Sequence, residues 1–286
     1  MANTEISRAE RLDQRVVAML PQLSRAYAAK LIETKRVSVN GASQVKPGYK
    51  LRADDIVSID YDASAEAEIP DIELEVLYED DDCVVINKPV GLLTHSKGAF
   101  NPEPTVATWL RSRLNGIEGN RAGIVHRLDR ATSGVMICAK TPVALSWLQK
   151  QFAQRRTKKT YAAVVKGSMK LEAAVIDMPI ERNPKAPATF RVGAQGKSAI
   201  TTYRTLATNG AYSLLELKPE TGRTHQLRVH LAHQGHPIVG DVLYGGETAV
   251  RLFLHAAELE ITIPKGHERK VFAVPLPPEF EQKAAA

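Results

Sequence analysis

The chain has 286 residues, of which 44% are hydrophobic and 24% are charged, with 18 glycines and 16 prolines. This is the composition of an ordinary folded protein of one or two domains, and it excludes a disordered or collagen-like chain. The longest apolar runs, such as Cys83–Ile86, are far shorter than the roughly 18 residues of a membrane helix. The first residues lack the pattern of a secretion signal, so we expect a cytoplasmic protein without a membrane segment.

The net charge of +6 is unevenly distributed along the chain. Residues 61–82 carry 10 Asp or Glu and no Lys or Arg, whereas residues 83–286 carry 28 Lys or Arg against 15 Asp or Glu. A basic body attracts a polyanion, because each neutralised phosphate releases condensed counterions. The distribution favours RNA or DNA as the partner, and a merely solvated basic surface is the alternative that composition leaves open.

The first 60 residues predict two short helices followed by strands. Apolar residues at three- and four-residue spacing between residues 10 and 23 predict a helix that Pro21 ends or bends, and an alanine-rich stretch up to about Lys35 predicts a second helix. Residues 37–41 predict a strand entering a hairpin turn, and residues 56–59 predict another strand. The acidic residues that follow have no regular periodicity and predict a linker.

The rest of the chain predicts a larger domain with many short strands and a few helices. Leu74–Tyr78, an acidic turn and Cys83–Ile86 have the pattern of strand, turn and strand. Cys83 and Cys138 stand among aliphatic residues, which is typical of small buried hydrophobes and not of a disulfide scaffold. We expect a monomer.

Signatures of cofactor or metal binding are weak in this sequence. No nucleotide-binding glycine motif occurs. Four histidines fall within twelve residues, namely His225, His230, His233 and His236, and a metal site is therefore an alternative. This stretch contains no cysteine or carboxylate, however, and its arginines would repel a cation. We expect no cofactor and no metal.

One polar cluster, His126–Ser133, stands between two apolar runs, which is typical of an active-site loop flanked by strands. Asp129 lies between Arg127 and Arg130, which favours its ionised form if the side chains approach each other. An oriented, ionised carboxylate can act as a nucleophile. By spacing alone, a cap on a turn or helix is the alternative use of Asp129, Thr132 and Ser133.

Two later segments carry further polar residues. Four basic residues between Arg155 and Lys159 precede a strand-like run that contains Tyr161, so phosphate contacts and base stacking are both available there. The turn residues of Leu217–His230 place Arg223 where it can clamp a carboxylate or a phosphate.

Together these segments resemble the RluA-type pseudouridine synthases, which isomerise uridine to pseudouridine in RNA. The resemblance spans nearly the whole chain. Its five motifs occur in family order as Asn87–Leu92, His126–Gly134, Lys159–Val165, Thr221–His230 and Gly240–Gly245.

The N-terminal segment also resembles a known module. Residues 8–60, with Arg11–Asp13, Val37–Gly41 and Asp54–Val57, are similar to the small RNA-binding module named S-four after a ribosomal protein. This combination is closest to the RluD-like subgroup, which acts on large-subunit ribosomal RNA.

The resemblance implies an α+β fold. We expect an S-four-like α/β RNA-binding domain over residues 1–60, an acidic linker over 61–71 and a catalytic domain over 72–286. The sheet of the catalytic domain is expected to be mixed and mainly antiparallel.

The resemblance also implies residue roles. Asp129 is the catalytic aspartate, Tyr161 packs on the uracil and takes the proton from carbon 5, and Arg223 pairs with Asp129. Arg127 fills the gap left by the flipped base. The other residues expected to bind substrate are Lys88, His126, Thr132 and His225. The carboxylate can add to the uracil ring, attack carbon 1′ of the ribose or remove a proton from carbon 2′, and the sequence leaves all three routes open.

Other functions remain as alternatives. The same isomerisation could act on transfer RNA. A non-catalytic RNA-binding protein would have the same basic charge, and a nucleoside hydrolase would use Asp129 to release free uracil.

Overall fold

The structure is a computed structural model that describes residues 10–21, 23, 25–61, 70–96, 103–119, 121 and 123–285. Two compact units are present: one comprises Met1–Ile72, His95–Trp109 and Gly119–Arg121, and the other Glu73–Thr94, Leu110–Glu118 and Ala122–Ala286. The expected domain bounds stay a prediction, since residues 62–69 of the expected linker lie outside the described residues. Within the described ranges, no helix has the length and apolar character needed to cross a membrane.

Residues 10–61, the described N-terminal part of the smaller unit, form two helices and a small sheet. These elements are α1 (Leu12–Met19), α2 (Arg25–Glu33), β1 (Val37–Val39), β2 (Ala42–Ser43) and β3 (Val57–Ile59). β1 lies between the other two strands and is antiparallel to both. Asn40 and Gly41 both have positive φ, 51° and 79°, as a primed hairpin turn requires. The predicted order of two helices followed by strands is confirmed.

The apolar faces of both helices enclose the core of this unit. Leu12 and Val16 of α1 are fully buried and pack with Ile32 of α2 and Val37 of β1. The three- and four-residue spacing in the sequence corresponds to this single buried face.

The remaining helices are α3 (Val106–Leu110), α4 (Pro142–Ala153), α5 (Gln226–His233) and α6 (Pro278–Ala285). The remaining strands are β4 (Glu75–Glu79), β5 (Cys83–Lys88), β6 (Ser133–Ala139), β7 (Lys158–Lys166), β8 (Ala173–Asp177), β9 (Ile180–Arg182), β10 (Phe190–Val192), β11 (Ile200–Thr208), β12 (Tyr212–Pro219), β13 (Leu254–Thr262) and β14 (Arg269–Ala273).

Among the described strands, nine form one sheet in the order β4-β5-β6-β13-β7-β12-β11-β8, and β14 pairs with β13. β13 and β6 are parallel, and every other pair in this sheet is antiparallel. β9 and β10 form a separate antiparallel pair. The expected mixed, mainly antiparallel sheet is confirmed.

The neighbouring strands β5 and β6 are buried along nearly their whole length. Their apolar runs suit strands that are covered on both faces. Cys83 and Cys138 are fully buried free thiols on these strands, as predicted. Thr141 caps α4 by accepting a hydrogen bond from the Ala144 amide at 3.2 Å.

Gly134 brings the loop that precedes β6 directly against β13. Its φ is +116°, and a Cβ atom at this position would lie 2.1 Å from the carbonyl oxygen of Ala256. Only glycine permits this approach. The loop that carries Asp129 is thereby held at the parallel junction of β6 and β13.

Candidate active site

A cavity of about 450 Å³ opens in the larger unit. Its walls are the loop before β6, the start of β7, the turn after β12 and the beginning of α5. Seven of the predicted site residues line it: His126, Arg127, Asp129, Thr132, Tyr161, Arg223 and His225. The structure therefore brings together residues that are up to about a hundred positions apart in the sequence.

Hydrogen bonds fix the loop that carries Asp129. The buried Thr94 hydroxyl donates to the Leu128 carbonyl at 2.8 Å and accepts from the Leu128 amide at 3.3 Å. The Thr132 amide donates to the Asp129 carbonyl at 3.0 Å, which closes the turn. Thr132 is 2% exposed. Its amide stabilises the backbone conformation of the loop.

The carboxylate of Asp129 has two ion-pair neighbours. Nη1 of Arg228 lies 3.5 Å from Oδ2, and Nε2 of His225 lies 3.7 Å from the same oxygen. The predicted pair between Arg223 and Asp129 is wrong, because Arg223 donates through Nε to the Ser198 carbonyl at 3.0 Å. His225 is the residue immediately before α5 and Arg228 lies in the first turn of that helix, whereas Arg223 lies in the turn that precedes it.

Arg228 is held in place by Asp241. Its Nε and Nη2 atoms each donate to one carboxylate oxygen of Asp241 at 2.7 Å, and its guanidinium lies 4.9 Å from the centre of the Tyr244 ring. Burial acts against the charge of Arg228, but the hydrogen bonds and negative charge of Asp241, with the charge of Asp129, raise the pKa of Arg228. A permanent positive charge therefore faces the Asp129 carboxylate.

Tyr161 of β7 lines the cavity with a neutral hydroxyl. Burial raises the pKa of this hydroxyl above its ordinary value of 10.0, and the charge of Asp129 acts in the same direction. Lys159, two residues earlier, also lines the cavity. Burial, with the charge of Arg155, lowers the pKa of Lys159 to about 8. The ring of Tyr161 thus offers a stacking surface beside several cations.

His126 forms part of the cavity wall. Its ring stacks on Phe152 at 4.5 Å between centroids and 18° between planes. Its Nε2 accepts a hydrogen bond from the Ile137 amide at 3.2 Å. Burial lowers the pKa of His126 to about 3, so the ring is neutral. Arg127, in contrast, is exposed at the edge of the cavity.

Lys88 has a different position from the one predicted. Its side chain is fully buried, and its ammonium donates to the carbonyls of Pro89 at 2.9 Å, Leu92 at 2.8 Å and Arg130 at 3.4 Å. The prediction that Lys88 binds substrate is therefore wrong, because the ammonium is used within the protein. It connects the segment after β5 to the loop that carries Asp129.

Sequence reasoning missed several residues that organise the cavity. The buried Gln226 accepts from the Thr221 hydroxyl at 2.7 Å and from the Arg223 amide at 3.0 Å, and donates to the Ile200 carbonyl at 2.9 Å. It therefore shapes the turn that forms one wall. The others are Arg228, Asp241 and Tyr244. The sequence could have indicated Arg228 by its place in the first turn of a helix that begins near His225. The contacts of Asp241 and Tyr244, in contrast, depend on the tertiary fold.

Three of the four clustered histidines, His225, His230 and His236, contact different partners. His230 is fully buried between the Thr201 hydroxyl at 3.0 Å and the Met178 carbonyl at 2.9 Å. His236 contacts the Lys166 carbonyl at 2.9 Å. In the part of the chain that the structure describes, no group of three His, Cys, Asp or Glu side chains could hold a metal ion.

Comparisons with known proteins cover both units. Residues 82–233 match the family described as RNA pseudouridylate synthase, and residues 10–57 match the S4 domain. Ribosomal large subunit pseudouridine synthase D of Escherichia coli (strain K12) is 42% identical over 240 residues, which cover 83% of this chain and 73% of that protein.

Another relative is a protein of Synechocystis sp. named only as an RNA pseudouridine synthase. It is 37% identical over 286 residues, which cover 95% of this chain and 87% of that protein. Among solved structures, human RNA Pseudouridylate Synthase Domain Containing 1 has a TM-score of 0.59 and 30% identity, over 71% of this chain and 83% of that chain.

Proposed function

This chain belongs to the RNA pseudouridylate synthase family, and on that premise we propose that it isomerises uridine to pseudouridine in RNA with Asp129 as the reacting carboxylate. The position of Asp129 carries the proposal. Its carboxylate lines the cavity, lies 3.5 Å from a guanidinium and belongs to the segment that matches the family.

The isomerisation exchanges one glycosidic bond for another. The bond between N1 of uracil and carbon 1′ breaks, a bond between carbon 5 and carbon 1′ forms, carbon 5 loses a proton and N1 gains one. The exchange has no net oxidation or reduction. Asp129 supplies the nucleophile or base, and Arg228 balances its charge. The ring of Tyr161 packs on the uracil, and its neutral hydroxyl acts as a proton relay, taking the proton of carbon 5 as it passes its own proton to solvent water.

The cavity has the size and charge for one extruded nucleotide. Its volume of about 450 Å³ is within the usual range of small-ligand sites. A base must leave its stack to enter, at a cost of a few kcal/mol that is smallest in loops and single strands. Arg155 and Arg223 at the cavity offset this cost by binding phosphates, and Arg127 occupies the position left by the base.

Large-subunit ribosomal RNA is the substrate that we propose. One relative that covers most of this chain is named as a ribosomal large subunit enzyme, and the N-terminal residues match an S4 domain, which serves here as the second RNA contact. The reaction would then take place in the cytoplasm, by a monomer. Transfer RNA is the second candidate, since it offers uridines in accessible loops.

Transcripts labelled with tritium at carbon 5 of uridine test this proposal. Incubation of the protein with labelled large-subunit ribosomal RNA should release tritium to water, and labelled transfer RNA should release none. Release from transfer RNA alone would overturn the ribosomal substrate. Binding of both RNAs without release would overturn the isomerase, and free labelled uracil would indicate a hydrolase instead.

A further inference from the structure

A short segment after α5 contacts both side chains that face Asp129. This segment, Gly240–Gly246, contains a single turn of 3-10 helix over Val242–Tyr244. Its backbone is tightly placed, since a Cβ on Gly240 would lie 1.9 Å from the Arg251 carbonyl oxygen. Asp241 binds Arg228, and Tyr244 binds His225. Each neighbour of the Asp129 carboxylate therefore has its own partner on one rigid segment.

The hydroxyl of Tyr244 has two polar contacts. The backbone amide of Phe190 on β10 donates to it at 3.0 Å, and Nδ1 of His225 lies 2.7 Å from it. The hydroxyl accepts from the amide, and it has one hydrogen of its own to donate. The only acceptor that the structure shows for that hydrogen, among the described residues, is Nδ1 of His225.

An imidazole that accepts at Nδ1 carries its proton on Nε2 when it is neutral. Burial lowers the pKa of His225, which favours the neutral ring. The charged groups around it are Asp129 and Asp241, which raise its pKa, and Arg228 and Arg127, which lower it. The Nε2 atom lies 3.7 Å from Oδ2 of Asp129.

The ring of His225 is also held sterically. The residue lies in the left-handed region, with φ 56° and ψ 21°, at the position that begins α5, and such a conformation is uncommon outside glycine. The rings of Phe190 and Tyr244 form T-shaped pairs with the imidazole, with interplanar angles of 77° and 85°. The orientation of the ring is therefore determined by its surroundings and not by its own backbone preference.

We propose that Tyr244 is a positioning residue for the reaction, whose hydroxyl holds His225 in the tautomer that presents an N–H, and not a lone pair, to the carboxylate of Asp129. This inference rests on the proposed function. Without the hydroxyl, the Nδ1–H tautomer becomes available and turns a lone pair of Nε2 towards the carboxylate. The two negative regions then repel, and the carboxylate loses its alignment with the uridine.

The test compares Tyr244→Phe with the wild type. The phenylalanine keeps the aromatic ring beside Arg228 and removes only the hydroxyl. We expect kcat for tritium release to fall by about tenfold, the change that corresponds to one hydrogen bond, with KM unchanged. Tyr212→Phe is the matched control, because its hydroxyl donates to Glu247 at 2.9 Å and Tyr212 does not line the cavity. Unchanged kcat in Tyr244→Phe would overturn the proposal.

A spectroscopic readout separates positioning from a merely structural role. Nitrogen NMR of protein labelled with ¹⁵N-histidine, with the His225 signals assigned by their loss in His225→Gln, should show the Nε2–H tautomer in the wild type. Tyr244→Phe should shift the population towards Nδ1–H. An Nδ1–H ring in the wild type, or an unchanged ring in the variant, would overturn the proposal.

A double variant gives a second check. In the His225→Gln background, Tyr244→Phe should cause no further loss of kcat, since it acts through the histidine. A further tenfold loss would contradict the inference. Because the NMR measurement needs no turnover, a wild type without tritium release would defeat the proposed function while the tautomer result still decides this inference.

Discussion

The guanidinium of Arg228 lies 3.5 Å from the carboxylate of Asp129, and two hydrogen bonds of 2.7 Å hold it against Asp241 at the same time. The buried guanidinium therefore interacts with two carboxylates: that of Asp241, which is buried, and that of Asp129, which lines the cavity. Asp241 fixes the position of the guanidinium, and the positive charge of Arg228 also acts on the carboxylate of Asp129.

Replacement of Arg228 by alanine should damage both folding and activity. The side chain of Asp241 is 1% exposed, and removing Arg228 would leave it as a buried charge without its partner, at a cost of about 3 to 5 kcal/mol in the free energy of unfolding. Arg223→Ala is the matched control, because the side chain of Arg223 makes one exposed hydrogen bond, to the Ser198 carbonyl. Its cost should stay below about 1 kcal/mol. Equal destabilisation of the two variants in urea titrations would contradict this account.

Two variants of Tyr161 separate stacking from proton transfer. Tyr161→Phe keeps the ring and should bind RNA as the wild type does, but should lose most tritium release, since the hydroxyl is absent. Tyr161→Ala should also weaken binding, because stacking of a base on an aromatic ring is worth about 1 to 3 kcal/mol. Tritium release and RNA binding measured on the same preparations check this, and full activity of Tyr161→Phe would exclude a role for the hydroxyl.

Gly134→Ala should be far more harmful than Gly210→Ala. Both glycines have positive φ, 116° and 88°, so both substitutions strain the backbone. A Cβ at Gly134 would also collide with the backbone of Ala256, whereas nothing lies within 4 Å of one at Gly210. We expect this collision to add about 1 to 3 kcal/mol of destabilisation and to shift the loop of Asp129. Thermal unfolding of the two variants measures the difference, and similar melting temperatures would refute it.

Acid should weaken the fold through the buried His255. Its Nδ1 lies 2.8 Å from the Ser133 hydroxyl, and burial, with the charge of Arg251, lowers its pKa from 6.5 to about 4. Between pH 6.5 and about 4, His255 binds a proton in the unfolded chain but not in the folded chain. The stability that depends on a neutral His255 is therefore fully present above pH 6.5 and is lost as the pH falls to about 4.

His255→Asn is the comparison for this effect, since the amide can keep a polar contact with Ser133 but does not titrate. Between pH 6.5 and 4, the free energy of unfolding of the wild type should fall more steeply than that of the variant. Parallel pH dependences of the two proteins would show that His255 is not held neutral.

Local patterns predicted local structure well. The Asn40-Gly41 turn was predictable because few residue pairs accept positive φ at both positions. The strand predicted over Cys83–Ile86 was recognisable because its apolar run follows an acidic turn, and the structure extends it to Lys88. The parallel pairing of β6 with β13 was not predictable in this way, since it joins residues more than a hundred positions apart.

The errors at the site have the same origin. The resemblance implied that Arg223 pairs with Asp129 and that Lys88 binds substrate, but the depth of a side chain and the direction in which it points depend on the tertiary fold. Lys88 lies beneath the loop of Asp129 and bonds to carbonyls, and the start of α5 directs Arg228 to the carboxylate. The family resemblance predicted which segments meet, while the individual contacts required the structure.

The most direct test of the central claim compares wild type with Asp129→Asn on large-subunit ribosomal RNA labelled with tritium at carbon 5 of uridine. The asparagine keeps the size of the side chain and removes its charge. We predict tritium release by the wild type, no release by the variant and equal RNA binding by both. Tritium release by Asp129→Asn at the wild-type rate would contradict the assignment of Asp129 as the reacting carboxylate.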